Sequence, residues 1–196
     1  MIKITVPLPK SITIACSGGV DSMAIVDFLS RKHDVTIAHF NHGTQHGQKA
    51  MKFVAQYCTD NNIPLLVGHC VTEKERGQSQ EEYWRNERYR FFKGLGPVIT
   101  CHHLDDCVET YIFTCLRGFQ SVIPYRRDNI IRPFLLNEKS TFYKWCKDKE
   151  VPFIEDETNE CLDYTRNRIR HQIVPEALKV NPGLKTVVRK MISNEN

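Results

Sequence analysis

Paired cysteines are what this sequence lacks first. Its eight cysteines, at positions 16, 58, 70, 101, 107, 115, 146 and 161, include no Cys-x-x-Cys pair. That spacing excludes a zinc ribbon and a small disulfide scaffold. Several of the eight lie in apolar runs, where a free thiol behaves as a small hydrophobe. Such usage suits a reducing compartment. No glycine loop ends in Gly-Lys-Ser/Thr, and no Gly-x-Gly-x-x-Gly occurs, so two common nucleotide motifs are missing. There is no apolar signal core at the start and no run long enough to span a bilayer. The expectation is a cytoplasmic protein with no membrane partner. Internal repeats, flexible linkers and low-complexity tracts are absent too. Net charge is only +4, too mild by itself to prove nucleic-acid binding.

What is present starts at Ile12-Thr13-Ile14-Ala15-Cys16-Ser17-Gly18-Gly19-Val20-Asp21-Ser22. An apolar, β-branched run reads as a buried strand. It breaks at two glycines, and helical spacing follows through Ala24, Ile25, Phe28 and Leu29. A strand, a tight glycine turn and a helix aim backbone N–H groups and the positive end of a helix dipole at one point. That point suits a phosphate. The alternative is an ordinary strand-to-helix turn that happens to hold two glycines.

The 196 residues, 41% hydrophobic, suggest one domain with a small appendage. Strands are expected at 12–15, 35–40, 64–71, 97–101 and 129–136. Helices are expected after the glycine turn, around 53–58, and at 79–92, 104–116, 139–149, 166–178 and 183–193. Residues 1–10 read as an edge strand or lead-in. Strands alternating with helices imply parallel pairing with right-handed crossovers, and ligands at the carboxyl ends of the strands. The expected fold is therefore α/β, a Rossmann-like nucleotide-binding sheet over 1–135 with a helical C-terminal extension over 136–196. Three polar clusters, at 17–22, 39–43 and 102–106, fall at strand ends.

The run His102-His103-Leu104-Asp105-Asp106-Cys107-Val108-Glu109-Thr110 sits where the fourth strand becomes a helix. Helix capping by Asp105 or Asp106 is one explanation. A transition-metal site is another, weakened because neighbouring residues rarely point at one ion. Magnesium and general-base chemistry beside ATP phosphates is the third and is favoured. Between Arg166 and Lys190 stand seven basic residues and one acid, Glu176. That tail is a candidate nucleic-acid surface or a solvated helix face.

Ser17-Gly-Gly-Val-Asp-Ser22 resembles the PP-loop of ATP pyrophosphatases, which cleave ATP between the α and β phosphates. His102-His103-x-Asp105-Asp106-x-x-Glu109-Thr110 then resembles the tRNA(Ile)-lysidine synthetase family. The segments His39–Gly43, Glu82–Tyr89, Leu116-Arg117-Gly118, Arg132-Pro133, Asp156–Asn159 and Tyr164–Arg170 are similar to that family's motifs in the same order. The likeness runs from about residue 12 to about residue 185 and corresponds to the family's catalytic domain.

The resemblance implies an enzyme that adenylates the C2 oxygen of the wobble cytidine in tRNA(Ile) with a CAU anticodon. Free L-lysine then attacks C2 and AMP leaves. It implies ATP and Mg²⁺ as cofactors. Ser17, Gly18, Gly19, Val20, Asp21 and Ser22 would hold the phosphates, with His42, Arg85, Arg88 and Arg132 as further nucleotide contacts. Asp21 and Asp105 would hold the metal. Asp106, Asp105, His103, Glu109 and Arg170 are the catalytic candidates, with Asp106 preferred as the base. Arg166, Lys185, Arg189 and Lys190 are the candidate tRNA contacts. Two other readings are a PP-loop tRNA thiolase and a nucleotide-binding subunit that needs a separate tRNA-binding partner. The thiolase commonly uses paired cysteines, which this chain lacks.

Overall fold

The computed structural model describes residues 1–155 and 160–194. The motif at 156–159 lies outside the described residues. In chain order the elements are β1 (Ser11–Ala15), α1 (Val20–Ser30), β2 (Asp34–Asn41), α2 (Gln45–Asp60), β3 (Leu65–His69), α3 (Gln80–Lys93), β4 (Val98–Ile99) and α4 (Leu104–Cys115). There follow β5 (Arg126–Arg127), β6 (Ile130–Ile131), α5 (Lys139–Lys149), α6 (Thr165–Arg168), a π-helical turn (Ile169–Ile173), α7 (Val174–Val180) and α8 (Leu184–Asn194).

The strands form one sheet in the order β3-β2-β1-β4-β6-β5, parallel except for β5. β1 lies between β2 and β4, so the chain first winds outward one way and then crosses to the other side. The crevice at that reversal is where an open α/β sheet binds ligands. Both the glycine turn after β1 and the His102–Asp106 run after β4 open there. The expected α/β architecture is the one observed. The register follows from alternation: Ile12 and Ile14 of β1 are buried and pair with Val35 and Ile37 of β2.

Several details differ from expectation. β4 keeps only Val98–Ile99 of 97–101, and the helix expected over 166–178 is broken by the π-helical turn. Two further differences lie at the far edge of the sheet. The strand expected over 129–136 is cut to Ile130–Ile131, because Pro133 has no N–H to continue the ladder and residues 133–136 form turns. β5 was not expected at all. It is a two-residue strand turned back on β6 through Asp128, whose φ is +53°. Both its residues are exposed arginines, so no apolar alternation marks it. The first ten residues are a lead-in, tied down by Thr5 N–H donating to Pro133 O at 3.0 Å and Lys3 N–H to Asn137 Oδ1 at 2.8 Å.

One apolar cluster joins Ile14, Met23, Ile25 and Ile37 to Phe134, Phe142 and Cys146, seating α5 against α1. A second joins Leu104, Cys107 and Val108 of α4 to Ile169, Leu184, Val188 and Ile192. The C-terminal helices thus pack directly on the helix that carries the polar run. Among the described residues no helix is long and apolar enough to cross a membrane. None of the eight cysteines is paired.

Gly68 is the tightest point of β3. A Cβ there would stand 2.5 Å from Phe91 Cγ of α3. Gly68→Ala is expected to lower stability by about 1–3 kcal/mol, because a packed ring must move to admit a methyl. A thermal melt checks this, and an unchanged midpoint would show that Phe91 moves freely.

Candidate active site

Local chemistry builds the glycine turn. Gly18 has φ +89°, a conformation that L side chains resist, and its carbonyl accepts from Ile154 N–H at 3.0 Å. Gly19 is the N-cap of α1 and contributes no side chain. Its N–H meets Ser17 Oγ at 3.4 Å, and Ser22 Oγ–H donates to Gly19 O at 2.9 Å. The two hydroxyls, Ser17 and Ser22, stand 3.4 Å apart. The amides that begin α1, from Val20 onward, open beside Asp21. Asp21 Oδ1 is buried and has no hydrogen-bond partner among the described residues. An unpartnered carboxylate oxygen beside the glycine turn fits a hard cation such as Mg²⁺.

The polar run after β4 is both a cap and a cluster. His103 is the N-cap of α4: Asp106 N–H donates to its Nδ1 at 3.4 Å, and its own N–H donates to Asp106 Oδ2 at 3.0 Å. The N-cap is thus His103, not Asp105 or Asp106 as expected; Asp106 answers it from the third helical position, and Asp105 faces α5 instead. His103 Nε2 lies 3.6 Å from Asp21 Oδ2 and 3.5 Å from Asp106 Oδ2, and Nδ1 lies 3.6 Å from Asp105 Oδ2. Burial pushes the His103 imidazole down, but the carboxylates of Asp106, Asp21 and Asp105 outweigh it and raise its pKa. For Asp106, burial acts upward, yet His103, Arg166 and His102 prevail and hold it well below the usual carboxylate range.

Two arginines close over this cluster. Arg166 donates to Asp106 Oδ1 and Glu109 Oε2, both at 3.0 Å. Arg170 donates to Glu109 through Nε at 2.6 Å and Nη2 at 3.1 Å, and its Nη2 is 3.6 Å from Asp106 Oδ1. Their spacing of four residues, across the start of the π-helical turn, puts both forks on the same carboxylates.

Asp105 sits differently from Asp21. Its Oδ1 is 2.8 Å from Lys185 Nζ and its Oδ2 accepts from Lys139 N–H at 2.8 Å, so both oxygens are engaged.

A second group carries cations that form no ion pair among the described residues. Arg132, only 2% exposed, donates to Pro124 O at 3.0 Å and to the Tyr89 hydroxyl at 3.3 Å, and its Nε has no partner among the described residues. The Arg85 guanidinium stacks 4.8 Å from the Tyr89 ring centre. Arg88, on the same helix, is in no ion pair among the described residues; burial and then Arg85 and Arg166 pull its pKa down. These cations also depress nearby imidazoles. Burial and Arg88 take His42 down to about 4. Burial, helped by Arg132, Arg166 and Arg88, takes His102 down to about 3. His42 also packs 5.3 Å from the Trp84 ring.

The tail's local charge excess does not persist in the fold. Arg166 and Arg170 turn inward to Asp106 and Glu109, and Lys185 and Arg189 pair with Glu138 at 3.0 and 2.8 Å. Lys179 pairs with Glu176 at 2.7 Å. Four of the seven cations are answered by carboxylates from distant parts of the chain, which a local charge count cannot see. Lys190 remains exposed.

Sequence reasoning missed Glu138 and Glu87. Glu87, 2% exposed, accepts from Val71 N–H at 2.6 Å, Thr72 N–H at 3.1 Å and the Thr72 hydroxyl at 2.7 Å, and pairs with Arg90. It pins the turn after β3. An acid inside an otherwise polar helix gives no local signal of that role.

A glycine turn after the first strand, at the reversal point of a parallel sheet, defines a nucleotide-binding PP-loop protein. Comparison makes this definite: a profile of the PP-loop domain matches residues 4–177, and the chain belongs to that family of ATP-using enzymes. It is 32% identical over 203 aligned residues to the tRNA(Ile)-lysidine synthase of Thermotoga maritima, covering 94% of this chain and 49% of that protein. It is 31% identical over 195 residues to the tRNA(Ile)-lysidine synthase of Lactiplantibacillus plantarum, covering 89% of this chain and 44% of that protein. The chain thus spans about half the length of these curated relatives. Among solved structures, the NH3-dependent NAD synthetase of Campylobacter jejuni shares the fold, with a TM-score of 0.52 at 13% identity over 96% of this chain and 86% of that one.

The Cys101 and Cys107 thiols are poor nucleophiles. Burial raises the Cys101 pKa well above its ordinary value and Cys107 to about 12. Cys101→Ser and Cys107→Ser are therefore expected to keep catalytic turnover, apart from packing losses seen in a melt. A folded Cys101→Ser or Cys107→Ser protein without activity would revive sulfur chemistry.

Proposed function

We propose that this chain carries out lysidine synthesis: ATP-dependent attachment of free L-lysine to the wobble cytidine of tRNA(Ile) with a CAU anticodon. The observation that carries this reading is a site with two halves. One half holds Arg85, Arg88 and Arg132, none of them in an ion pair among the described residues. The other is the carboxylate–imidazole cluster of Asp21, His103, Asp105, Asp106 and Glu109. The first suits phosphates, and the second suits an ammonium group that must lose a proton.

In this reading the cytidine C2 oxygen attacks the α phosphorus of ATP and pyrophosphate leaves. The Gly18–Ser22 amides and the α1 dipole stabilise the departing charge. Magnesium, held by Asp21, would supply charge neutralisation at the phosphates; Asp105 reaches it only by giving up a present partner. The lysine amine then attacks C2 and the C2–O bond to AMP breaks. Asp106, His103 and Glu109 surround the path of the amine's proton. The carboxylates of Asp106, Asp21 and Asp105 together raise the proton affinity of His103. Arg166 and Arg170 hold Asp106 and Glu109 in place. Lys190 and the outer side of Arg189 remain candidate contacts for the tRNA backbone, while Lys185 is turned inward to Asp105 and Glu138.

The test is incubation with ATP, labelled lysine and tRNA(Ile) bearing the CAU anticodon, reading lysine incorporation and AMP release together. Equal amounts of both support the reading. AMP release without incorporated lysine overturns it, and sulfur transfer in place of lysine supports the thiolase alternative.

A further inference from the structure

Helix α5 starts in an uncommon way. Its N-cap is Glu138, yet the Glu138 carboxylate makes no bond to its own helix. It reaches Lys185 Nζ at 3.0 Å and Arg189 Nη2 at 2.8 Å, residues one turn apart on α8. The orphan N–H of Lys139, first residue of α5, is taken instead by Asp105 Oδ2 of α4 at 2.8 Å. The other Asp105 oxygen belongs to Lys185 at 2.8 Å. Leu104 N–H, at the start of α4, donates to Asn137 O at 2.8 Å. The first turns of α4 and α5 are thus tied face to face, and Lys185 is the joint between them and α8.

The rotation of α8 is set by packing. Leu184, Val188 and Ile192 recur every four residues and are buried against the α4 cluster. That stripe leaves Lys185 and Arg189 only one direction, toward Glu138 and Asp105. A compact ammonium with three donors can serve two carboxylates at once. Without it, Asp105 and Glu138 face each other as like charges, and Asp105 is free to turn from Lys139 N–H.

We propose that Lys185 is a positioning residue of the active site, holding Asp105 and through it the first turn of α4 that carries His103 and Asp106. The proposal rests on the lysidine-synthesis reading for its reaction. It assigns α8 a part in turnover and not only in tRNA affinity. Lys185 touches no reacting atom; it acts through Asp105, whose Oδ2 lies 3.6 Å from His103 Nδ1.

Four variants test it in the full chain: Lys185→Met, Lys185→Arg, Asp105→Asn and the double variant of the first and third. Lys185→Met is expected to lower kcat by at least about tenfold while KM for tRNA stays within about twofold, the signature of a lost transition-state arrangement. Lys185→Arg keeps the charge and should recover most of that kcat. Lys185→Met combined with Asp105→Asn should fall no further than the worse single variant, since both break one linkage. A raised KM with unchanged kcat, or additive losses, overturns the proposal and makes Lys185 a tRNA contact. Hydrogen exchange at the Lys139 amide gives a readout independent of the reaction: protection should be lost in Lys185→Met and kept in Lys185→Arg. If the wild type incorporates no lysine, the functional reading fails alone, and the Lys139 exchange still decides the positioning claim.

Discussion

Gly19→Val is expected to abolish ATP binding and every ATP-dependent step while the chain stays folded. The two halves of that statement have separate causes. Gly19 has φ −75° and ψ 164°, extended backbone that a β-branched residue adopts readily. A Cβ built there meets only Ser17 Oγ, at an ordinary 3.5 Å. Among the described residues nothing else lies within 4 Å of that Cβ. What it obstructs is the approach of a phosphate to the amides at the start of α1, where close backbone contact is the whole device. Gly18 makes the opposite case. Its φ is +89°, and a Cβ would press Ile154 and Phe53 at 3.3 Å. Loss of activity in Gly18→Val would therefore report strain as well as obstruction. Titration calorimetry with ATP, beside a thermal melt, separates the outcomes for Gly19→Val. Wild-type affinity for ATP in that variant would remove the phosphate role from the turn.

Much of this arrangement is legible in the sequence, for a physical reason. The glycine turn, the alternation of strands with helices and the cap at His103–Asp106 are short-range patterns, written within a few residues. The parts that were not legible depend on partners far along the chain. Arg166 reads as surface charge until Glu109 arrives from α4, and Lys185 reads the same way until Asp105 and Glu138 do. Glu138 sits at a helix start, where an acid is ordinary, and only the rotation of α8 shows what it holds. The hairpin of β5 and β6 escaped because two exposed arginines carry no hydrophobic period. Distance in sequence, not weakness of the interactions, hides these features.

Asp106→Asn is expected to cut turnover by about a hundredfold or more, the scale of losing an acid–base arrangement, with little change in ATP affinity. The shape is kept and the fault is one of donors. In the wild type, Asp106 Oδ1 accepts from Arg166 at 3.0 Å and Oδ2 accepts from His103 N–H at 3.0 Å. An amide has one oxygen, so whichever way it turns, its NH₂ meets either a guanidinium or the His103 N–H. One of the carboxylates that raise the proton affinity of His103 is lost at the same time. Stability should fall with activity, because Glu109 alone is left to balance two arginines in a confined space. The pH dependence of that loss has a definite sign. The folded protein holds the Asp106 pKa below its unfolded value near ~3.9, so its contribution is complete above that pH and fades below it. The gap in Tm between wild type and Asp106→Asn should be widest near neutrality and shrink as the pH falls below about 4. Turnover within about tenfold of wild type, or ~1.4 kcal/mol of barrier, would exclude Asp106 from the proton's path. A gap in Tm unchanged by acid would show that Asp106 is held by shape and not by charge.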